Sequence, residues 1–230
     1  MKNQYFGDVN DYLKYGLLRC FSRADLRVGV CWMLTPDDGR SDGRKTRYLS
    51  DAASWRGHDP PLFDTLKSTV GVGGRRRVSF VEDGSTIPNA CFFSEIVPDS
   101  QLARGAWFDR ALKALAVADL LFFDPDNGLE VRSKSYGSRD SSKYLYWREV
   151  RFAWERGASL LIFQHFPRER RDPYVERLVQ TLMLEAPDAT VIPLRTPNVL
   201  FLLASRPEHG SATKAALDLA RSKWNGPITL

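Results

Sequence analysis

The feature that most constrains this chain is residues 118–130, ADLLFFDPDNGLE. Leu120–Phe123 is a short unbroken apolar run, the pattern of a strand buried on both faces of a parallel sheet. Asp124-Pro125 stops that strand, because proline offers no amide proton to a ladder, and Asp126-Asn127-Gly128 is turn chemistry. A carboxylate then stands just past the C-terminal end of a central strand, where open α/β sheets bind their ligands. Asp124 is therefore the first candidate for chemistry, with Pro125, Asp126 and Asn127 beside it. An acidic turn closing a core strand would leave the same trace.

Strand and helix patterns alternate on either side of this stretch. Residues 8–21 predict an amphipathic helix capped by Asp8 or Asn10, an N-terminal helical extension before the first strand at 28–33. The following TPDDGRSDGRK is a polar, glycine-containing loop, and such loops after a first strand commonly cradle a ligand. Asp59-Pro60 is an N-cap with proline at the first helical position. Residues 78–81 predict a second strand closed by Glu82-Asp83, and 90–97 are a candidate third. Helices are expected over 102–117 and 143–156, the latter closed by Gly157. A further strand at 159–163 leads to Gln164-His165, and Asp172-Pro173 repeats the cap-and-proline signal before a helix. Residues 191–194 and 199–204 predict two strands joined by residues 195–198. Four residues cannot hold a crossover helix, so this pair must be antiparallel. A last helix is expected over 212–223.

The fold class expected is thus α/β: a single doubly wound, mostly parallel sheet ending in an antiparallel hairpin, with residues 1–230 as one domain. The chain has 230 residues, enough for one large core. No apolar run reaches membrane-spanning length, and Met1-Lys-Asn-Gln lacks a signal-peptide core, so a soluble cytoplasmic protein is expected. Cys20, Cys31 and Cys91 are too scattered for metal-ligand spacing and read as reduced thiols. Net charge is +5, which permits a polyanionic partner without requiring one. Basic clusters at residues 40–47, 75–77 and 168–171 make RNA or DNA a candidate partner. Glu82 or Asp83, at a second strand's end, would suit a ribose hydroxyl. His165 could contact substrate or act as a base.

The block Gly7-Asp-Val-Asn-Asp11-Tyr-Leu-Lys14-Tyr resembles the opening of the bacterial large-subunit ribosomal-RNA adenine-N6 methyltransferases, whose pattern is G-x-x-x-D-x-L-K-H. Gly7, Asp11, Leu13 and Lys14 match, and Tyr15 replaces the histidine. That family's glycine-rich loop falls on residues 35–40, where Gly39 and Arg40 match, and its D-P-P-Y motif falls on Asp124-Pro125-Asp126-Asn127. Three-cysteine-motif partner proteins, also methyltransferase-like, share a similar outline. The likeness spans about residues 5 to 205 in layout and three short blocks in detail. Met33 stands where an acid is expected after the first strand, and Asp37 replaces the first loop glycine.

The resemblance implies a class I methyltransferase fold and S-adenosylmethionine as cofactor, held by Thr35, Asp37, Asp38 and Gly39 together with Glu82 and Asp83. It implies that Asp124 accepts a hydrogen bond from an exocyclic amine and that Pro125 presents its carbonyl to the same group. Lys14, Arg40, His165 and Arg168 are the expected substrate contacts. The motif lacks an aromatic to stack on a flipped base, for which Tyr136, Tyr144 and Phe166 are the candidates. Two other chemistries remain open at this stage. Asp124, Asp126 and Glu130 could ligate magnesium or manganese in a nuclease or phosphohydrolase, although no metal is expected with the methyltransferase. A non-catalytic nucleic-acid-binding protein on a decayed methyltransferase fold is the other.

Overall fold

The computed structural model describes residues 1–39, 43–71, 76–83 and 86–229. Its strands are β1 (Val28–Cys31), β2 (Ala90–Phe93), β3 (Leu120–Phe123), β4 (Gly128–Leu129), β5 (Tyr144–Leu145), β6 (Ser159–His165), β7 (Thr190–Arg195) and β8 (Val199–Ser205). The α-helices are α1 (Val9–Arg23), α2 (Ala52–Trp55), α3 (Pro60–Gly71), α4 (Ser79–Asp83), α5 (Gln101–Ala114), α6 (Trp147–Trp154), α7 (Arg171–Glu185) and α8 (Gly210–Trp224).

One six-stranded sheet runs β2-β1-β3-β6-β8-β7. β1 pairs in parallel with β2 and β3, and β3 in parallel with β6. β8 lies antiparallel to both β6 and β7, so the four-residue link does form a hairpin. β4 and β5 form a separate parallel pair.

All four residues of β3 are buried, as its apolar run requires. Side chains alternate between two layers, since successive strand residues face opposite ways. Val30, Phe122 and Phe163 pack with α1, α3 and α8, whereas Leu121, Phe123 and Ile162 pack with α5, α6 and α7. The chain leaves β1 toward β2 on one side and returns to β3 on the other. The order therefore reverses between β1 and β3, and the crevice for ligands in an open α/β sheet lies at their C-terminal ends.

Helix starts follow their caps. Asp8, not Asn10, caps α1 by accepting the Asn10 amide at 2.9 Å, and Asp59 accepts the Leu62 amide ahead of α3. Cys20, Cys31 and Cys91 are free thiols. No helix among the described residues is long and apolar enough to cross a membrane.

Three expectations need correction. Residues 78–81 are not a strand but lead into α4, with Glu82 and Asp83 on the helix. Val78 and Val81 are buried three apart while Phe80 between them is exposed, a helical spacing that overrides the β-branched composition. The edge strand is instead β2, the candidate at 90–97. The helix expected over 143–156 is only Trp147–Trp154. Tyr144–Leu145 is drawn into pairing with Gly128–Leu129, and Glu149 reaches back to accept the Tyr146 amide, starting the helix there. Finally, α7 begins at Arg171, one residue before Asp172, whose carboxylate accepts Arg195 rather than capping the helix.

Candidate active site

Asp124 follows β3 directly, and its amide donates to the Cys31 carbonyl, continuing the ladder one residue past the strand. This brings the carboxylate to the edge of the crevice, where it is almost wholly buried. Burying a carboxylate is costly unless it is paired. Its partner is Lys14 on α1, whose Nζ lies 2.7 Å from Asp124 Oδ2 and 2.8 Å from Asp11 Oδ1. Asp124 Oδ1 makes none of the hydrogen bonds found among the described residues.

Asp11 is tied further by the Tyr15 hydroxyl, which donates to its Oδ2 at 3.2 Å, and by the Gly7 amide at 3.1 Å. Burial pushes the Asp11 carboxyl up to about 6, with Lys14 pulling the other way. Burial would lower the Lys14 ammonium, but Asp11 and Asp124 outweigh it and hold Lys14 above the ordinary lysine value. Burial also keeps the Tyr15 hydroxyl protonated, so it can only donate to Asp11. The block 7–15 is therefore the scaffold of one buried ion cluster that fixes Asp124.

The N-terminal residues complete the cluster. The Met1 amino group donates to the Asp124 carbonyl at 2.8 Å and the Met33 carbonyl at 3.2 Å, across the crevice between β1 and β3. Lys2 Nζ bridges Asp38 Oδ2 at 3.0 Å and Asp126 Oδ2 at 3.1 Å. Thr35 Oγ1 lies 3.3 Å from the same Asp126 oxygen. Asp126 Oδ1, by contrast, is buried with no hydrogen-bond partner among the described residues. An unpaired buried acceptor forfeits its hydration without replacement, and such an atom calls for a donor from outside the chain.

A cavity of about 1060 Å³ opens over the C-terminal ends of β3 and β6 and the N-terminal end of the antiparallel β8. Asp124, Pro125, Asp126 and Asn127 all line it. Tyr144, Trp147, Phe163 and Phe166 supply aromatic wall, with Lys45, Arg132 and Arg177 as cations at its edge. Phe163 also lies under Lys14, 4.8 Å from ring centre to Nζ, which shields the ion cluster from water. His165 reaches the cavity from the end of β6. The surrounding protein lowers its pKa below the ordinary histidine value while Asp124 opposes, so the ring is neutral at pH 7.

Behind these residues, Gln164 fixes the turn. Its Oε1 accepts the Leu129 amide at 2.6 Å and its Nε2 donates to the Tyr174 hydroxyl at 2.7 Å. Gly128 makes room for it, having φ of +95° and a position where a Cβ would fall 2.4 Å from Gln164 Oε1.

No family model, curated protein or solved structure matches the chain.

The residues expected to hold the cofactor do not converge. Thr35 reaches the cavity's Asp126, but Asp37 Oδ1 accepts the Gln4 amide at 3.1 Å and Asp38 holds Lys2. Glu82 accepts the Trp32 indole N–H at 2.7 Å from α4, and Asp83 is exposed at that helix's end. Gly39 has φ of +70° with open space beside it. The donor-hungry Asp126 Oδ1 nonetheless fits a group rich in donors, and S-adenosylmethionine carries an ammonium and ribose hydroxyls. Asp126 belongs to the cavity lining, not to the first loop.

Of the substrate contacts expected, His165 and Lys14 both line the cavity, but Lys14 is almost wholly buried and held by Asp11 and Asp124, which makes it a positioning group. Arg168 is exposed outside the cavity lining, and Arg40 lies outside the described residues. Tyr144 and Phe166 line the cavity, but Tyr136 does not. No cluster of three metal-ligating side chains forms among the described residues, and Asp124 and Asp126 each face a lysine ammonium. Sequence reasoning missed Met1 and Lys2, which carry no motif, and Gln164 as the brace of the turn. Asp11 was visible only as a matched letter, with no hint that it shares Lys14 with Asp124.

Proposed function

We propose that this protein is an S-adenosylmethionine-dependent methyltransferase acting on an amino group of a nucleic-acid base. The observation that carries the proposal is Asp124. It is a buried carboxylate at a central strand's end, with Oδ2 held by Lys14, Oδ1 in no hydrogen bond among the described residues, and a large aromatic-walled cavity beside it. The strand order adds support, since a parallel sheet closed by an antiparallel strand inserted before the last is the layout expected of class I methyltransferases.

The bound cofactor would supply an electrophilic methyl group. Asp124 Oδ1 would accept one hydrogen of the target amine and the Pro125 carbonyl another, turning the nitrogen lone pair toward the methyl donor. Lys14 cannot act as a base, because the two acids hold its proton, but it holds the Asp124 carboxylate in its orientation. Neutral His165 is the acceptor best placed to receive the proton released from the methylated nitrogen. Tyr144 and Phe166 would stack on an extruded base. Asp126 would receive a donor of the cofactor through Oδ1.

The test is transfer of a labelled methyl group from S-adenosylmethionine to unmethylated RNA and DNA, followed by nucleoside analysis. Incorporation at an exocyclic amine, reduced at least about 100-fold in Asp124→Asn, is expected, in line with the loss of one positioned polar contact. Incorporation unaffected by that substitution, or absent on every nucleic acid offered, would sink the proposal.

A further inference from the structure

A second hollow of about 630 Å³ adjoins the main cavity, and Glu130, Val131, Arg132, Trp147 and Thr181 line both. Its remaining wall comes from the loop after β4 and the start of α6, including Lys134, Tyr136, Tyr146 and Arg148. The two hollows thus form one continuous groove running from the surface to Asp124.

Charge and shape in this groove point the same way. Between residues 130 and 148 the chain carries five cations against two carboxylates outside the buried Glu149. Asp140 already holds Lys143 at 3.0 Å and lies 3.8 Å from Lys134. Arg132 and Arg148 are exposed, and neither makes an ion pair with any described residue. The Arg148 guanidinium instead lies 4.5 Å from the Tyr136 ring centre. A cation over an aromatic face, with its donors left to solvent, is a common element of nucleic-acid grooves.

The wall is also rigid, which separates it from a solvated charge run. Arg104 on α5 is completely buried beneath it, with its guanidinium 5.5 Å from the Tyr136 ring and 5.1 Å from the Tyr146 ring. The same group is bound by Glu149 at 2.7 Å and donates to the Ser141 carbonyl at 2.8 Å. Asp99 accepts the Asp140 and Ser142 amides at 2.9 and 2.8 Å, pinning the loop from its other side. Tyr136 and Tyr146 meet edge to face at 5.0 Å. A buried ion pair and three further hydrogen bonds are expensive devices for a loop that only spans two elements. Their effect is to hold the Tyr136 and Tyr146 rings in place, with the Arg148 guanidinium beside Tyr136, and prior ordering lowers the cost of binding.

We propose that this groove is the seat of a single-stranded nucleic acid, with Arg132 and Arg148 on phosphates and Tyr136 and Trp147 against bases. The proposal rests on the reading that the main cavity receives a base, and it names the path by which the strand arrives. Paired bases present no free faces to aromatic rings, so the groove selects an unpaired segment. It also relocates the expected contacts. Of the clusters expected, Arg76 donates to the Gln4 and Gly43 carbonyls and Arg171 lies 4.5 Å from the Phe166 ring centre, while Arg168 is exposed outside the lining of both hollows.

The test is fluorescence anisotropy with labelled single-stranded 12-mers of DNA and RNA and a matched duplex, over a salt series and without S-adenosylmethionine. The wild-type protein should bind a single strand more tightly than the duplex. The double variant Arg132→Ala/Arg148→Ala should bind at least about tenfold more weakly, with the log–log salt slope flatter by about 1.4, from about 0.7 per lost phosphate contact on a single strand. Arg221→Ala, on α8 across the sheet, should bind as wild type does. Both arginines are exposed, so the double variant should fold, which circular dichroism would check. Equal binding by the double variant, a preference for duplex, or no binding at low salt would overturn the proposal. Binding does not require methyl transfer. A protein that binds single strands through these arginines but transfers no methyl group would keep this proposal and discard the methyltransferase. One that methylates while the double variant binds normally would do the reverse.

Discussion

Asp11 is where burial and charge are most nearly balanced. Its folded-state pKa of about 6 lies above the ordinary aspartate value of 3.8, so the folded chain binds this proton more tightly than the unfolded chain does. Ionising Asp11 therefore weakens folding as pH rises from about 4 to about 6, by up to about 3 kcal/mol at 1.36 kcal/mol per pKa unit. Lys14, raised, keeps its proton throughout this window and contributes no slope. Asp11→Asn removes the titration. Urea unfolding of the wild type and the variant between pH 4 and 7 should show the stability difference moving against the wild type as pH rises, then levelling above about 6. A pH-independent difference would mean that Asp11 is ionised throughout. The block 7–15 was legible as a motif because its letters match, but the reach of Lys14 to Asp124, 110 positions away in sequence, was not.

At the scale of elements, the turn after β3 depends on Gly128. Gly128→Ala must hold a side chain at φ of +95° and also push Gln164 off the Leu129 amide. Gly39→Ala meets the same conformational penalty at φ of +70° with open space around the new methyl group. Gly39→Ala should cost about 1–2 kcal/mol from the left-handed backbone alone, and Gly128→Ala should cost about 1–3 kcal/mol more from overpacking. Chemical denaturation of both variants measures the gap; equal costs would show that Gln164 moves aside freely. Strand β3 and the hairpin of β7 and β8 were readable because apolar runs and link length are local. The strand expected at 78–81 was not, because only packing distinguishes a helical turn with Val78 and Val81 buried from a β-branched strand.

For the whole molecule, the proposed cofactor can be tested at Asp126, whose Oδ1 is buried with no hydrogen-bond partner among the described residues. S-adenosylmethionine at about 1000 times its dissociation constant should add about 4 kcal/mol to the stability of the wild-type protein. Asp126→Asn keeps the size of the side chain but gives up the charge and can turn a donor toward the ligand, so most of that gain should vanish while the unliganded variant still unfolds cooperatively. Thermal unfolding with and without the ligand reads both. A wild-type protein whose melting is unmoved at millimolar ligand would remove the cofactor from the account.

Local patterns by themselves determined the α/β alternation, the buried central strand, the antiparallel ending and the placing of Asp124 at a strand's end. These follow from hydrophobic periodicity, from proline's missing donor and from the reach of a four-residue link, all of which act within a few positions. Only the tertiary structure decided which charges pair. It joined Lys14 to Asp124, closed Lys2 over the loop acids Asp38 and Asp126, and moved the open cavity from the first loop to the ends of β3, β6 and β8. The physical reason is that an ion must find its counter-ion wherever folding removes both from water, and that meeting is set by how helices and strands pack rather than by distance along the chain.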